Sequence, residues 1–137
     1  MKDPHEYGIY KWWPEEGEEA FHPDDVQQAR RLVPSDRVWR RERREEEEYV
    51  VLCYGEQRLR VKPMLYEPID GEGFDVGDWV EVKSRVGQNK PRTGVILEMR
   101  WDHHDKTIHY YIQQAGNKIP RPYLAEDLRH VEETRSP

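Results

Sequence analysis

Residues 74–131 alternate short strand-like runs with turn signals, and this pattern restricts the possible folds of the 137-residue chain more than any other feature. Residues 78–83 and 107–113 each alternate apolar and polar side chains, and Gly116 and Asn117 mark a turn between later runs. Short strands at regular spacing, separated by such turns, are typical of small β-barrels and β-sandwiches. The C-terminal half is therefore predicted to be a small β module.

The N-terminal half predicts one short helix followed by strands. His22 stands before Pro23, which suits a first helical position because its missing N–H would have no intrahelical partner there. The acidic residues 24–25 favour the positive end of the helix dipole. Apolar residues repeat at helical spacing over 26–33 until Pro34 ends the run. Strand-like runs follow at 37–44, 49–54 and 57–62.

Composition favours two small modules over one large core. Apolar residues make up 35% of the chain and charged residues 36%, but five Trp and eight Tyr can build compact cores from few side chains. The stretch 67–73, EPIDGEG, predicts the boundary because its Pro, Gly and Asp interrupt regular structure. We predict a mainly β chain: residues 1–70 hold an aromatic arm, the short helix and a small β module, and residues 71–137 hold the second module.

Charge and cysteine content limit the classes of function. The net charge of −6 is concentrated in residues 1–70, which carry 12 basic and 17 acidic groups, and it disfavours generic DNA binding without excluding a local basic patch. Cys53 is the only cysteine, so no intramolecular disulfide can form, and its apolar neighbours predict an inert buried thiol. No apolar segment approaches the length of a membrane span or a signal peptide, and we expect a soluble cytoplasmic protein.

The second module resembles the SH3-like small β-barrels of the Tudor, KOW and agenet kind over residues 74–131. The resemblance rests on GDWVEV at 77–82, TGVI at 93–96, YYI at 110–112 and YLAEDL at 123–128. It implies a barrel that binds peptide, RNA or DNA through one curved face and its loops. The N-terminal half, with YGIYKWWPEEG and VVLCYGEQRLRVKP, is similar to segments of uncharacterised bacterial proteins, and this similarity implies no function.

Aromatic residues form the first candidate binding site. Strand alternation places Trp79 and Tyr111 on the face opposite the apolar one, and Tyr123 follows on a later strand. A Tudor-like reader surrounds a cation with aromatic rings, and the same rings could stack on bases or pack against the first module. Trp12 and Trp13 of the N-terminal arm could join them or pack across their own module. We expect a non-catalytic adaptor that binds a protein or peptide partner.

A basic stripe is the second candidate and carries the alternative function. Arg58, Arg60 and Lys62 alternate with apolar residues along one predicted strand, so their side chains share a face. Guanidinium groups in a row match phosphate oxygens, which would make the protein nucleic-acid-binding, with the aromatic rings stacked on bases. The acidic run 45–48 lies close by in sequence, however, and the same charges could pair within the chain.

Histidines form the weakest candidate, and catalysis finds little support. His103, His104 and His109 lie near Asp102 and Asp105, but adjacent strand residues point to opposite faces and the spacing matches no zinc motif. A solvated hairpin turn is therefore favoured, and we expect neither a metal nor a cofactor. The chain has no phosphate-binding loop and no nucleophile with a base beside it, so we expect no enzyme activity.

Overall fold

The computed structural model of the chain describes residues 7–10, 21–32, 36–46, 49–63, 66–83 and 92–131, and for residues 43–46 and 92 it describes the backbone alone. The chain divides into two units, Met1–Gly73 and Phe74–Pro137. Two five-stranded antiparallel sheets make up most of the described structure. The prediction of a mainly β fold with one short helix is confirmed.

The first unit contains the sheet β4-β3-β2-β1-β5. Its strands are β1 Tyr7–Tyr10, β2 Trp39–Glu46, β3 Tyr49–Tyr54, β4 Gln57–Val61 and β5 Tyr66–Ile69. Residues 50–54 of β3 are all buried, so both faces of this interior strand are covered. Burial raises the pKa of the Cys53 thiol, and Glu42 raises it further. A neutral, buried thiol is a poor nucleophile.

The predicted helix begins as a 3₁₀ turn, Pro23–Asp25, and continues as α1, Val26–Leu32. The Nδ1 atom of His22 accepts a hydrogen bond of 3.1 Å from the backbone N–H of Asp24, so the imidazole caps the turn. Ahead of it, Phe21 forms an antiparallel bridge with Val61 of β4. No described helix is long and apolar enough to span a membrane.

The second unit contains the sheet β10-β6-β7-β8-β9. Its strands are β6 Trp79–Val82, β7 Arg92–Asp102, β8 Thr107–Gln114, β9 Asn117–Lys118 and β10 Leu128–His130. Burial alternates along β8, with Ile108, Tyr110 and Ile112 buried and their neighbours partly exposed. This sheet therefore has an inner apolar face and an outer polar face, as the alternating sequence predicts.

The prediction of a closed barrel is wrong, because the described strands form an open sheet with β9 and β10 at its edges. After β9 the chain continues along β8, where Ile119 donates to the Ile112 carbonyl and Tyr123 forms a bridge with Tyr110. Pro120 and Pro122 interrupt this run. β9 is two residues long, and no described ladder joins it to β10.

Candidate functional site

The outer face of the second sheet carries an exposed tryptophan. Trp79 is 60% exposed, and in the described part of the chain no other large hydrophobic side chain is exposed. Trp79 pairs with Val95 of β7, which pairs in turn with Gln113 of β8. Gln113 pairs with Lys118 of β9. On the side of β6 that faces β10, the N–H of Val131 donates to the Trp79 carbonyl at 3.3 Å. The strand that carries the indole is therefore held in the sheet by backbone hydrogen bonds.

Tyr111 lies on the same outer face, but a lysine covers its ring. The Nζ atom of Lys118 is 4.8 Å from the centroid of the Tyr111 ring, within range of a cation–π interaction. The same ammonium is 3.0 Å from an oxygen of Glu98, the residue paired with Tyr111 on β7. Partial burial alone would raise the pKa of Glu98, but hydrogen bonds from Arg100 and Lys118 hold it below its ordinary value. The Tyr111 ring thus lies within a cross-strand cluster of charged side chains.

The structure does not place Tyr123 with Trp79 and Tyr111. Tyr123 is 8% exposed and pairs with the fully buried Tyr110, so its side chain lies on the inner side of the sheet. Arg121 lies over its ring at 5.1 Å. The outer face therefore offers one open ring at Trp79 and one covered ring at Tyr111. The tryptophans Trp12 and Trp13 fall outside the described residues.

Charged pairs flank the Trp79 side chain along its own strand. The guanidinium Nε of Arg129 donates to an oxygen of Glu81 at 2.8 Å, and the two residues are paired between β10 and β6. Thr93 of β7 pairs with Glu81 on the other side and is exposed. The row next to Trp79 is therefore polar. We call the residues Trp79, Glu81, Thr93, Val95 and Arg129 the Trp79 face.

In the first unit, the predicted basic stripe contacts the chain's own carboxylates. Arg58 forms an ion pair with Glu42 of β2. Arg60 donates through Nε and Nη2 to the two oxygens of Asp25, at 3.0 and 2.9 Å, and its backbone N–H donates to the same carboxylate at 2.8 Å. Burial alone would raise the pKa of Asp25, but these contacts with Arg60 hold it below its ordinary value. The two guanidiniums are thus held by acids of the same unit.

Lys62, the third residue of the stripe, borders a surface cavity of about 620 Å³. Phe21, Val26 and Tyr49 supply apolar walls, and Arg30 lies at the rim with Lys62. The Lys62 carbonyl accepts a hydrogen bond of 3.0 Å from the hydroxyl of Tyr10. The cavity is open to solvent.

The histidine region forms a turn whose side chains converge differently from the sequence prediction. One oxygen of Asp102 accepts backbone N–H groups of His104 and Asp105, at 2.9 and 3.2 Å. These hydrogen bonds hold the pKa of Asp102 below its ordinary value. The other oxygen lies 3.4 Å from Nε2 of His109. His103 and His104 are exposed, so the turn brings together Asp102 and His109 rather than the two adjacent histidines.

Sequence reasoning considered these residues as a local motif and missed the contribution of the hairpin register. Asp102 pairs with Thr107, and Arg100 pairs with His109. Residues diagonal to each other across two strands lie within reach of long side chains. The signal available in the sequence was the spacing of Asp102 and His109 around a short turn. It becomes informative once the register of β7 and β8 is known.

The fold and these surfaces define a small, mainly β protein of two units, with an exposed aromatic surface on its second sheet. The chain belongs to DUF6960, a family of unknown function, whose sequence model matches residues 1–129. No curated protein and no solved structure matches it. The family match extends over both units.

Proposed function

We propose that this protein is a non-catalytic binding module that recognises a protein or peptide partner through the Trp79 face. The observation that carries the proposal is the 60% exposure of Trp79 on a hydrogen-bonded strand. Large exposed apolar side chains are uncommon on soluble proteins and often mark interaction sites, and tryptophan is the residue type most enriched in binding hot spots. Covering the exposed part of the indole contributes on the order of 3 kcal/mol.

The surroundings of Trp79 suit a peptide with one apolar anchor residue. Val95 extends the apolar surface across β7, and the Glu81–Arg129 pair supplies both signs of charge beside it. A partner side chain would pack on the indole while its neighbours orient against the charged pair. Such a surface favours an apolar anchor over a methylated cation, because Tyr111 already holds the ammonium of Lys118.

We also propose that the second unit is an opened relative of the SH3-like barrel. In support of this, its last strand returns to pair with its first, and a 3₁₀ turn at Ala125–Asp127 leads directly into β10. Recognition surfaces on such small β units are usually one sheet face and its loops. The fold resemblance by itself chooses no partner, so the function rests on the Trp79 face.

Nucleic-acid binding through Arg58, Arg60 and Lys62 is the alternative, and the contacts favour it less. A phosphate would have to compete with Glu42 for Arg58 and with the two-pronged contact of Asp25 for Arg60. The net charge of −6 adds long-range repulsion. Binding of this kind weakens steeply with salt, which separates it from peptide binding.

Selection of peptides from a displayed library by the full chain tests the proposal. The affinity of selected peptides is then measured by fluorescence anisotropy for the native chain, Trp79→Ala and His103→Gln. We expect Trp79→Ala to weaken binding about 30-fold or more, since hot-spot tryptophans contribute about 2 kcal/mol or more. His103→Gln, at an exposed position of the same unit outside the Trp79 face, should change it little. Equal affinity of Trp79→Ala and the native chain would contradict the proposal.

The same instrument tests the alternative with labelled single-stranded DNA, duplex DNA and RNA at low and near-physiological salt. We expect no saturable binding. Saturable binding that falls with salt and is weakened by Arg58→Gln would favour the basic stripe instead. Thermal melting of each variant checks that its fold is retained.

A further inference from the structure

We propose that the β7–β8 hairpin binds a divalent transition-metal ion through Asp102, Asp105 and His109. Each of these residues offers one ligand atom, and the three atoms lie within 4.8 Å of one another. This inference is independent of the Trp79 face and of any peptide partner. It also revises our expectation from the sequence that the histidine region holds no metal.

The geometry of Asp102 and His109 already matches one edge of a coordination shell. The free oxygen of Asp102 is 3.4 Å from Nε2 of His109. In a tetrahedral site with metal–ligand bonds of about 2.0–2.2 Å, two ligand atoms lie about 3.3–3.6 Å apart. A metal ion could therefore bridge these two atoms without a change in the hairpin register.

Asp105 approaches from the turn and supplies the third ligand. Its side chain is exposed, and its ligand oxygen lies within 4.8 Å of the ligand atoms of Asp102 and His109. Its backbone N–H donates to Asp102 at 3.2 Å. The turn thus holds the backbone of Asp105 beside Asp102.

The two carboxylate oxygens of Asp102 have different partners, and this fixes the orientation of the carboxylate. One oxygen accepts the N–H groups of His104 and Asp105, and this orients the other oxygen toward His109. Outer-shell contacts of this kind orient the ligands of established metal sites.

The donor set indicates which ions bind. Two carboxylates and one imidazole suit Zn²⁺, Mn²⁺, Ni²⁺ or Cu²⁺, whereas Mg²⁺ and Ca²⁺ prefer shells made of oxygen alone. Three protein ligands leave at least one coordination position for water or an external group. We take Zn²⁺ as the probe because it imposes no redox chemistry.

Isothermal titration of the full chain with ZnCl₂ tests the proposal, with MgCl₂ as the comparison ion. We expect one Zn²⁺ per chain and much weaker binding of Mg²⁺. His109→Gln and Asp105→Asn should each weaken Zn²⁺ binding at least about tenfold, since even outer-shell changes cost about that much. His103→Gln is the matched control, because it removes an exposed histidine of the same turn, and it should change the affinity less than about twofold.

Three results would overturn the proposal. Absence of Zn²⁺ binding by the native chain at millimolar metal overturns the proposal, and the Asp102–His109 contact is then an ordinary ion pair. Equal losses in His103→Gln and His109→Gln also overturn it, because the exposed histidines would be the ligands. Binding that neither His109→Gln nor Asp105→Asn weakens places the ion elsewhere and has the same consequence. If His109→Gln melts at a lower temperature, Asp105→Asn decides, because it retains the backbone hydrogen bond to Asp102.

Discussion

The interior strands β3 of the first sheet and β8 of the second sheet are buried in different ways. In β3 of the first unit, five consecutive residues from Val50 to Tyr54 are buried. In β8 of the second unit, buried and partly exposed residues alternate. A strand covered on both faces serves the core alone, whereas a strand covered on one face leaves the other available to partners. A functional surface is therefore expected on the outer face of the second sheet.

Charge distribution follows the same division. In the first unit, the guanidinium of Arg60 is bound by Asp25, across 35 positions of sequence, and Arg58 by Glu42. In the second unit, ion pairs such as Glu81–Arg129 lie beside an uncovered indole. The first unit uses its basic residues to hold its own elements together. The second combines paired charges with an open apolar group, which is the composition of a recognition surface.

The largest expected effects come from substitutions at consecutive positions in the interior strands β3 and β8. Leu52→Ala should destabilise the chain by about 2–5 kcal/mol, and Val51→Ala next to it by about 1–3 kcal/mol, because both side chains are buried. In β8, Ile112→Ala should cost about 2–5 kcal/mol but Gln113→Ala less than about 0.5 kcal/mol. Urea unfolding followed by circular dichroism measures these differences. A loss for Val51→Ala as small as that for Gln113→Ala would break the comparison.

The contact between Asp25 and Arg60 should give a smaller, pH-dependent effect. Asp25→Asn should lower the free energy of unfolding at neutral pH by about 1.5–3 kcal/mol, since hydrogen bonds to charged groups contribute about that much. The pKa of Asp25 in the folded chain lies below its ordinary value of 3.8, so its contribution is complete above that pH and is lost as the pH falls through the folded-state pKa. The native chain and the variant should therefore converge in strong acid.

Asp24→Asn is the matched control for Asp25→Asn, because the Asp24 side chain is 77% exposed. Its replacement should change stability by less than about 0.5 kcal/mol at any pH. Urea unfolding of both variants at several pH values supplies the measurement. A constant difference between Asp25→Asn and the native chain down to strong acid would show that the carboxylate charge is not what stabilises the helix against β4.

The smallest expected effect concerns Lys118 and Tyr111 on the outer face of the second sheet. Lys118→Met keeps most of the aliphatic stem but removes the ammonium, and should cost no more than about 0.5–1 kcal/mol, the usual range for an exposed cation–π contact. Thermal melting measures the difference. A loss as large as that of Ile112→Ala would mean that this face is part of the core, and the contrast between the sheets would fail.

Much of the fold could be predicted because local patterns determine it. The alternation over 107–113 gave the correct inner and outer faces of β8, and Pro23 marked the beginning of the helical segment. Pattern reasoning works there because each residue's environment follows from its immediate neighbours. Alternation placed Trp79 on the face opposite Val80 but left open whether that face is exposed; in the structure Trp79 is 60% exposed.

Features that depend on distant pairing could not be predicted. A bulge between Ile96 and Glu98 shifts the register of β7 against β8, and no local signal announces it. Tyr123 is buried because it forms a bridge with Tyr110, which is a tertiary contact. The approach of His109 to Asp102 also requires the hairpin register. Sequence alone placed these residues in strands and turns but could not assign their neighbours.

Pro120 and Pro122 have a consequence beyond the shape of the sheet. An open sheet presents an edge to which strands of other molecules can add, and such growth leads to aggregates. The chain that follows β9 runs along this edge, and two of its residues lack the N–H that an incoming strand needs. Pro120→Thr and Pro122→Thr would restore these N–H groups and should therefore lower the solubility limit of the protein. On this edge, the expected role of the two prolines is to limit self-association.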